Sequence, residues 1–411
     1  MPPLRFPGFK GAWKEQRLFD IGAIVTGSTP PTSDRSNYGI DYPFCSPSDV
    51  GGQRYISETE RYVSDKGYRL GRPIPPGGII VTCIGIIGKL GIASRAMITN
   101  QQINAVIVKP EFDVEFIFDA IGHIVPTLRT RASQQTLPIL SKLEFGKVCI
   151  RIPPIPEQMK LGHFLSLLDS RIAAQRKLVE LLKKHKRGLV QDLFTGELSK
   201  LPRRRFAGFK DAWISRSFDE VFSFLKNNTL PRSEMTTVGG MIRNVHYGDV
   251  LIKYGDVLEC NRNQIPFLVG DKQLDDCRLL QDGDVVIADT AEDEAVGKAV
   301  ELVGVANKLI ESGLHTIACR PKIPFASRFL GYYLNSTAYR RQLLPLMQGI
   351  KVLSLSKSQL GKTQLLFPPD INEQKRIAEL LAGTDAHSVM AQLHLDKMQS
   401  LKTGFLQQLF V

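Results

Sequence analysis

Two stretches of the chain carry apolar residues at heptad spacing. In the first, one row reads Leu161, Leu168, Gln175, Leu182 and Leu189, and a second row reads Leu165, Ile172, Val179, Lys186 and Leu193. In the second stretch the rows are Ile377, Thr384, Ala391, Met398, Phe405 and Leu381, Ser388, Leu395, Lys402, Leu409. A 3.5-residue spacing keeps one face of an α-helix against a partner helix, so the two stretches predict long helices packed antiparallel on each other. Glu157 to Phe194 spans 38 residues, roughly 57 Å if helical throughout. Gly188 and Gly404 mark where each helix is expected to end or bend.

Residues 14–152 and 214–367 read differently, being rich in Gly, Pro, aromatic and β-branched residues. Runs such as Gly78-Ile-Ile-Val-Thr-Cys83, Ile103-Asn-Ala-Val-Ile-Val108 and Gly283-Asp-Val-Val-Ile-Ala288 predict strands in mixed, mostly β domains with a few helices. Pro153-Pro154 and Pro368-Pro369 punctuate the passage from each domain into its helix.

This alternation is a duplication. Arg5-Phe-Pro-Gly-Phe-Lys-Gly-Ala-Trp13 recurs as Arg205-Phe-Ala-Gly-Phe-Lys-Asp-Ala-Trp213, seven of nine identical at an offset of 200. Leu140-Ser-Lys142, Gly146-Lys147 and Pro153-Pro154 recur at offset 215, and Glu157-Gln158 recurs as Glu373-Gln374 at offset 216. The helix rows correspond at 216 throughout, including the polar interruption Lys186 to Lys402. A period this long is a tandem domain duplication and not a solenoid. The expected fold is α+β: two β-rich mixed domains in tandem, separated by long antiparallel coiled-coil-like helices and related by a pseudo-two-fold axis. The expected boundaries are 1–155, 156–200, 201–370 and 371–411.

Over 411 residues, 53 Lys and Arg against 41 Asp and Glu leave a net charge of +12, which suits a polyanionic partner without specifying one. Six scattered cysteines, never as C-x-x-C, speak against structural zinc and a disulfide framework. The seven histidines never pair at ligand spacing on one helix, and His246 and His315 fall in separate segments, so no metal site is expected. No apolar run reaches the ~18 residues of a membrane helix, and the first residues lack a signal peptide's apolar core. A cytoplasmic chain with no membrane partner is expected.

Three fragments imitate enzymes. Gly361-Lys362-Thr363 has the tail of a phosphate-binding loop, but Ser356 occupies the place of its first glycine. Pro369-Asp370 with Glu373-Gln-Lys375 imitates a nuclease's carboxylates. Its first-copy counterpart, Pro154-Ile155-Pro156-Glu157-Gln-Met159, lacks the Asp and the Lys, and a helix start explains the acids. No glycine-rich nucleotide fingerprint follows a strand, and no Asn-Pro-Pro-Tyr-like segment occurs. No catalytic residue is therefore expected on this chain.

A variable β-rich domain, then Pro-Pro with Glu-Gln opening a long helix, then the same again, resembles the DNA specificity subunit of type I restriction-modification systems. In the first copy the resemblance is carried by Thr26-Gly-Ser-Thr-Pro30, Tyr38-Gly39, Pro43-Phe44, Ser48-Asp49-Val50, Pro76-Gly-Gly-Ile-Ile80, Asn100-Gln101 and Ile152-Pro-Pro-Ile-Pro-Glu-Gln158. The second carries Asn244-Val-His-Tyr-Gly-Asp249, Gln281-Asp-Gly-Asp-Val285, Gly313-Leu-His-Thr316 and Phe367-Pro-Pro-Asp-Ile-Asn-Glu-Gln374. The resemblance implies two target recognition domains, each reading one half of a split double-stranded DNA site. It implies helices that set the gap and dock two methyltransferase (modification) subunits, with restriction subunits completing a host-defence complex. S-adenosylmethionine, ATP and Mg would belong to those partners, and no cofactor to this chain.

On that footing the DNA-contacting candidates are polar residues flanking turns, because Arg, Asn and Gln pair with base edges while Lys neutralises phosphate. In the first copy they are Ser28, Thr29, Tyr38, Lys89, Asn100, Gln101, Arg129, Arg131, Gln134 and Gln135. In the second they are Arg243, Asn244, His246, Tyr247, Lys253, Asn261, Arg262, Asn263, His315 and Lys351. Gly27, Gly39, Asp49 and Gly248 are read as shaping the fold. Leu161, Leu165, Leu168, Ile172, Val179, Leu182, Ile377, Leu381, Leu395 and Met398 are assigned to helix packing and the subunit interface. The run Lys183-Lys184-His185-Lys186-Arg187 is read as a solvated helix face. Two other readings compete: an assembly scaffold without its own DNA specificity, and a catalytic DNA methyltransferase or nuclease.

Overall fold

In the computed structural model, residues 2–133, 137–195, 201–270 and 279–410 are described. The chain forms two compact units, one of residues 1–178 with 391–411 and the other of residues 179–390.

The first unit is built on a five-stranded sheet in the order Gly22–Thr26, Ile103–Val108, Ile79–Thr82, Leu90–Ala93, Tyr55–Ile56. Its pairs are antiparallel except the last, which is parallel. The central strand reads Ile-Ile-Val-Thr and is buried on both faces, as a continuous apolar run requires. Ile79 and Val81 face one apolar cluster while Ile80 faces another, the alternation of a pleated strand. A smaller sheet joins Arg61–Val63, Tyr38–Cys45 and Ile98–Thr99.

The second unit repeats this plan. Its five strands run Phe222–Phe224, Thr316–Pro321, Val285–Ala288, Ala299–Val303, Val257–Glu259, again with a parallel last pair. Val285 and Ile287 face one cluster, Val286 and Ala288 the other. Its smaller sheet pairs Ile242–Val245 in parallel with Leu309–Ser312.

The long helices are Ile155–Leu193 and Ile371–Leu409, 39 residues each. Both run on through Gly188 and Gly404, which therefore end neither helix. Each helix gives its first part to one unit and its last part to the other. In the first unit Leu161 and Leu165 share a core with Leu409 and Phe410. In the second, Leu189, Leu193 and Phe194 share one with Ile377, Ala378 and Leu381. Ile172, Val179 and Leu395 are buried as well, while Leu168, Leu182 and Met398 are half-buried. Antiparallel pairing within the first unit is fixed by Gln175 Nε2 donating to the Ala391 carbonyl at 2.8 Å and by Phe164 meeting Phe405 edge to face at 5.1 Å.

The polar interruptions of the seam have partners. Lys402 pairs with Asp169 at 2.5 Å in the first unit, and Lys186 pairs with Asp385 at 2.6 Å in the second. Lys186 also reaches Asp256 at 2.6 Å. Burial alone would lower Lys186, but Asp256 and Asp385 outweigh it and hold the ammonium above the usual lysine range. Lys186 thus turns inward from a run whose other members, Lys183, Lys184, His185 and Arg187, are exposed. It is not part of a solvated face.

The repeated nonapeptide has a corresponding role in each unit. Arg5 donates from Nε and Nη2 to the Glu157 carboxylate at 2.6 and 2.7 Å, and Arg205 does the same to Glu373 at 2.6 and 2.8 Å. Each glutamate lies in the first turn of a long helix, where its charge suits the helix dipole.

Candidate nucleic-acid interface

At one end of each large sheet several chain turns converge, and most of the polar candidates lie there. In the first unit the strand Gly22–Thr26 leaves the sheet beside the strand entering at Ile103, with Thr26 opposite Asn104. The turn is tight: a Cβ on Gly27 would sit 2.1 Å from the Asn100 carbonyl oxygen and 2.4 Å from that of Thr99. Only glycine allows that approach. Ser28 then donates its backbone N–H to Thr99 O at 2.8 Å, and Thr29 donates its hydroxyl to Gln101 Oε1 at 2.7 Å. The Asn100 side chain is held by Gln102, through Nδ2 to Oε1 at 3.1 Å and Oδ1 from the backbone N–H at 3.1 Å.

The neighbouring loop, Ser46–Asp49, is closed by Asp49, which accepts from the Ser46 backbone N–H and hydroxyl at 2.8 and 2.7 Å. Lys89 reaches over to Pro47 O at 3.3 Å, and Arg129 donates to Ile87 O at 3.1 Å. The Tyr38 hydroxyl ties back to Pro30 O at 2.8 Å. Ser28, Thr29, Lys89, Asn100, Gln101 and Arg129 are thus gathered at one sheet end, and Arg131 is exposed at the close of the adjoining helix Val125–Arg131. Gln134 and Gln135 lie outside the described residues.

The second unit builds the equivalent end from different side chains. Asn228 donates its backbone N–H to Ser312 O at 2.9 Å, as Ser28 does to Thr99. Gly313 donates to Val245 O at 2.9 Å, as Asn100 does to Cys45. His246 caps the helix Tyr247–Ile252, its Nδ1 accepting from the Gly248 backbone N–H at 3.2 Å. Burial, then the nearby Arg232 and His315 charges, push His246 below the usual imidazole range against the pull of Asp249. The Tyr247 ring lies between His246, 4.6 Å away, and His315, 5.3 Å away and edge to face. His246 and His315, separate in sequence, are therefore neighbours. Lys351 is exposed in the hairpin whose Ser354 pairs with Thr290 at the same end.

Other second-unit candidates are buried or lie elsewhere. Asn244 is fully buried and neither of its amide atoms has a hydrogen-bond partner. Its Oδ1 would lie 2.2 Å from a Cβ at residue 313, so it keeps that position a glycine. Arg243 stacks its guanidinium 4.6 Å from the Phe267 ring centre. Asn261, Arg262 and Asn263 follow the strand Val257–Glu259, which runs parallel to Ala299–Val303, and so they sit at the opposite sheet end. There Asn263 caps the Glu259 N–H and Arg262 pairs with Glu259 at 3.5 Å, while Asn261 accepts from Lys308. Lys253 joins them through Gln264 O at 2.9 Å.

Sequence reasoning passed over Asn227 and Asn228, although the offset of 200 that relates Arg5 to Arg205 sets them opposite Gly27 and Ser28. It also passed over Arg72, which donates to Thr26 O at 2.9 Å, and Asp289 with Thr290, which face His315. Among the described residues no group of three or more His, Cys, Asp or Glu is placed to hold a metal ion, and no helix is long and apolar enough to cross a membrane.

Residues 10–184 match the family model described as type I restriction modification DNA specificity domain. Over those residues the chain is similar to the type I restriction-modification specificity family. Specificity subunits are also its curated relatives. The HindI specificity subunit of Haemophilus influenzae is 36% identical over 146 residues, 34% of this chain and 32% of that protein. The MjaIX specificity subunit of Methanocaldococcus jannaschii is 30% identical over 178 residues, 42% of this chain and 41% of that protein. The chain thus spans less than half the length of either relative. The MjaVIII specificity subunit is 25% identical over 312 residues, 73% of this chain and 68% of that protein. Among solved structures, the fold is similar to a type I restriction-modification S subunit from M. genitalium, with a TM-score of 0.64, 14% identity and coverage of 100% of this chain and 99% of that one.

Proposed function

We propose that this chain is a non-catalytic DNA-binding subunit whose two units each read one half of a bipartite, gapped double-stranded DNA site. The observation that carries this is the paired construction of the candidate interface. One duplicated scaffold presents polar loops at the same sheet end twice, held by matching backbone bonds at Ser28 and Asn228 and at Asn100 and Gly313. The side chains mounted there differ between the copies. A repeated frame with different readers is what two different half-sites need, because base edges are distinguished by the donors and acceptors set against them. Lys89 in the first unit and the exposed Lys351 in the second supply charge for phosphate, consistent with the +12 net charge.

The helices serve as the spacer and as the platform for two methyltransferase subunits. Exposed Leu167, Leu178, Leu181, Val389, Met390 and Leu393 supply apolar surface for docking. Methyl transfer from S-adenosylmethionine, and ATP- and Mg-dependent cleavage, belong to modification and restriction subunits of a cytoplasmic complex. The spacer role is tested by inserting seven residues, two helical turns, at matched points of both helices. The insertion adds about 10 Å, and the gap in the selected DNA motif should grow by about three base pairs with both half-sites unchanged. A gap that stays the same refutes the spacer role.

A further inference from the structure

His315 is singled out by its setting. It occupies the left-handed backbone region, φ 54°, which is uncommon outside glycine and is tolerated by His and Asn. It lies just before the strand Thr316–Pro321, and its side chain is 47% exposed at the converging loop end. The imidazole is oriented on two sides. Tyr247 packs edge to face against it, and Nδ1 faces Thr290 Oγ1 at 3.4 Å and Asp289 Oδ1 at 3.5 Å.

That pair of oxygens decides the tautomer. Thr290 has one hydroxyl proton, and it is donated to Asp289 Oδ1 at 2.7 Å. Both oxygens are then left to accept from the imidazole, so Nδ1 carries the ring proton. Nε2 of the neutral ring is an acceptor, and it becomes a donor when the ring is protonated. His246 offers no such switch, because it is buried and its Nδ1 is occupied in capping.

Resting on the half-site reading above, we infer that His315 is a specificity-determining residue of the second unit whose choice of base follows its charge. The neutral ring, with Nε2 accepting, suits the exocyclic amine of adenine or cytosine in the major groove. The imidazolium donates from the same atom and suits N7 or O6 of guanine. The titratable groups that face it are Asp289, from the turn after Val285–Ala288, and His246 with Tyr247, at the start of helix Tyr247–Ile252.

The test is selection of the full-length chain against a randomised double-stranded DNA library at about pH 8 and about pH 5.5, which bracket the range where imidazole changes charge. In the wild type, one position of one half-site should shift from adenine or cytosine to guanine on acidification, by about tenfold in the ratio of bases. The variant His315→Asn keeps a side chain that tolerates the left-handed backbone but does not titrate, and its choice at that position should be the same at both pH values. A wild-type motif identical at both pH values, or a shift that persists in H315N, overturns the inference and leaves the half-site reading standing. Enrichment of no motif by the wild type at either pH overturns both.

Discussion

Replacing Arg54 by alanine removes the cation at the centre of a buried acidic cluster in the first unit. The Arg54 side chain is 4% exposed and pairs with Glu115 at 2.7 Å, Asp119 at 2.8 Å and Asp169 at 2.7 Å, with its guanidinium 4.3 Å from the Phe118 ring centre. Its three partners do not lose equally. Glu115 keeps the Tyr55 hydroxyl at 2.8 Å, and Asp169 keeps Lys402 at 2.5 Å. Asp119, whose side chain is 2% exposed, keeps no side-chain partner among the described residues. Stranding one buried charge in this way costs about 3 to 5 kcal/mol. Burial already pushes Asp119 up to about 6, with Arg54 opposing, and without Arg54 it rises further. A carboxyl raised in the folded state carries a penalty that is absent while both states are protonated, grows as pH rises from the unfolded value to the folded one, and is complete above it. The extra loss in R54A develops above the wild type's folded value, so it should be larger near pH 8 than near pH 5, where Asp119 is largely neutral in folded variant and wild type alike. Urea unfolding of the full chain at the two pH values measures it, and Asp119→Asn added to R54A should recover stability at the higher pH. A loss under about 1 kcal/mol, or an equal loss at both pH values, refutes the reasoning.

Glu373→Ala leaves the Arg205 guanidinium without its bidentate acceptor and should lower stability by about 2 kcal/mol, read as faster proteolysis of the segment around residues 203–213. Gly27→Ala places a Cβ 2.1 Å from the Asn100 carbonyl. It should weaken binding to the first half-site about tenfold or more while leaving base preference at the second half-site unchanged, as read by competition with half-site variants. Lys351→Ala should weaken binding to every DNA sequence alike and lower the salt slope by about one, measured by titration across salt concentrations.

The helix seam was legible because its period is local and its copies correspond at an offset of 216. The exchange of helix ends was not, since nothing near Leu409 or Leu193 announces the cores they enter. Gly188 and Gly404 read as ends or bends because glycine disfavours helix by about 1 kcal/mol. Burial of Leu189, Leu193 and Leu409 just beyond them outweighs that. Lys186 was misread as part of a solvated face because one of its partners, Asp256, lies in a loop 70 residues away. The same limit governs the interface. His246 and His315 meet through the parallel pairing of Ile242–Val245 with Leu309–Ser312, a register no local pattern encodes. Residue type marked Asn244, Asn261 and Arg262 as readers, but strand direction and burial decide which polar side chains reach the converging loops.

On the proposed reading, this chain supplies the DNA address of a modification complex. Methylome sequencing of a host carrying the gene, with and without its in-frame deletion, tests it most directly. The account predicts that N6-methyladenine disappears from one bipartite, gapped motif and from no other. Unchanged methylation at every motif, in a host whose accompanying methyltransferase is active, would contradict it.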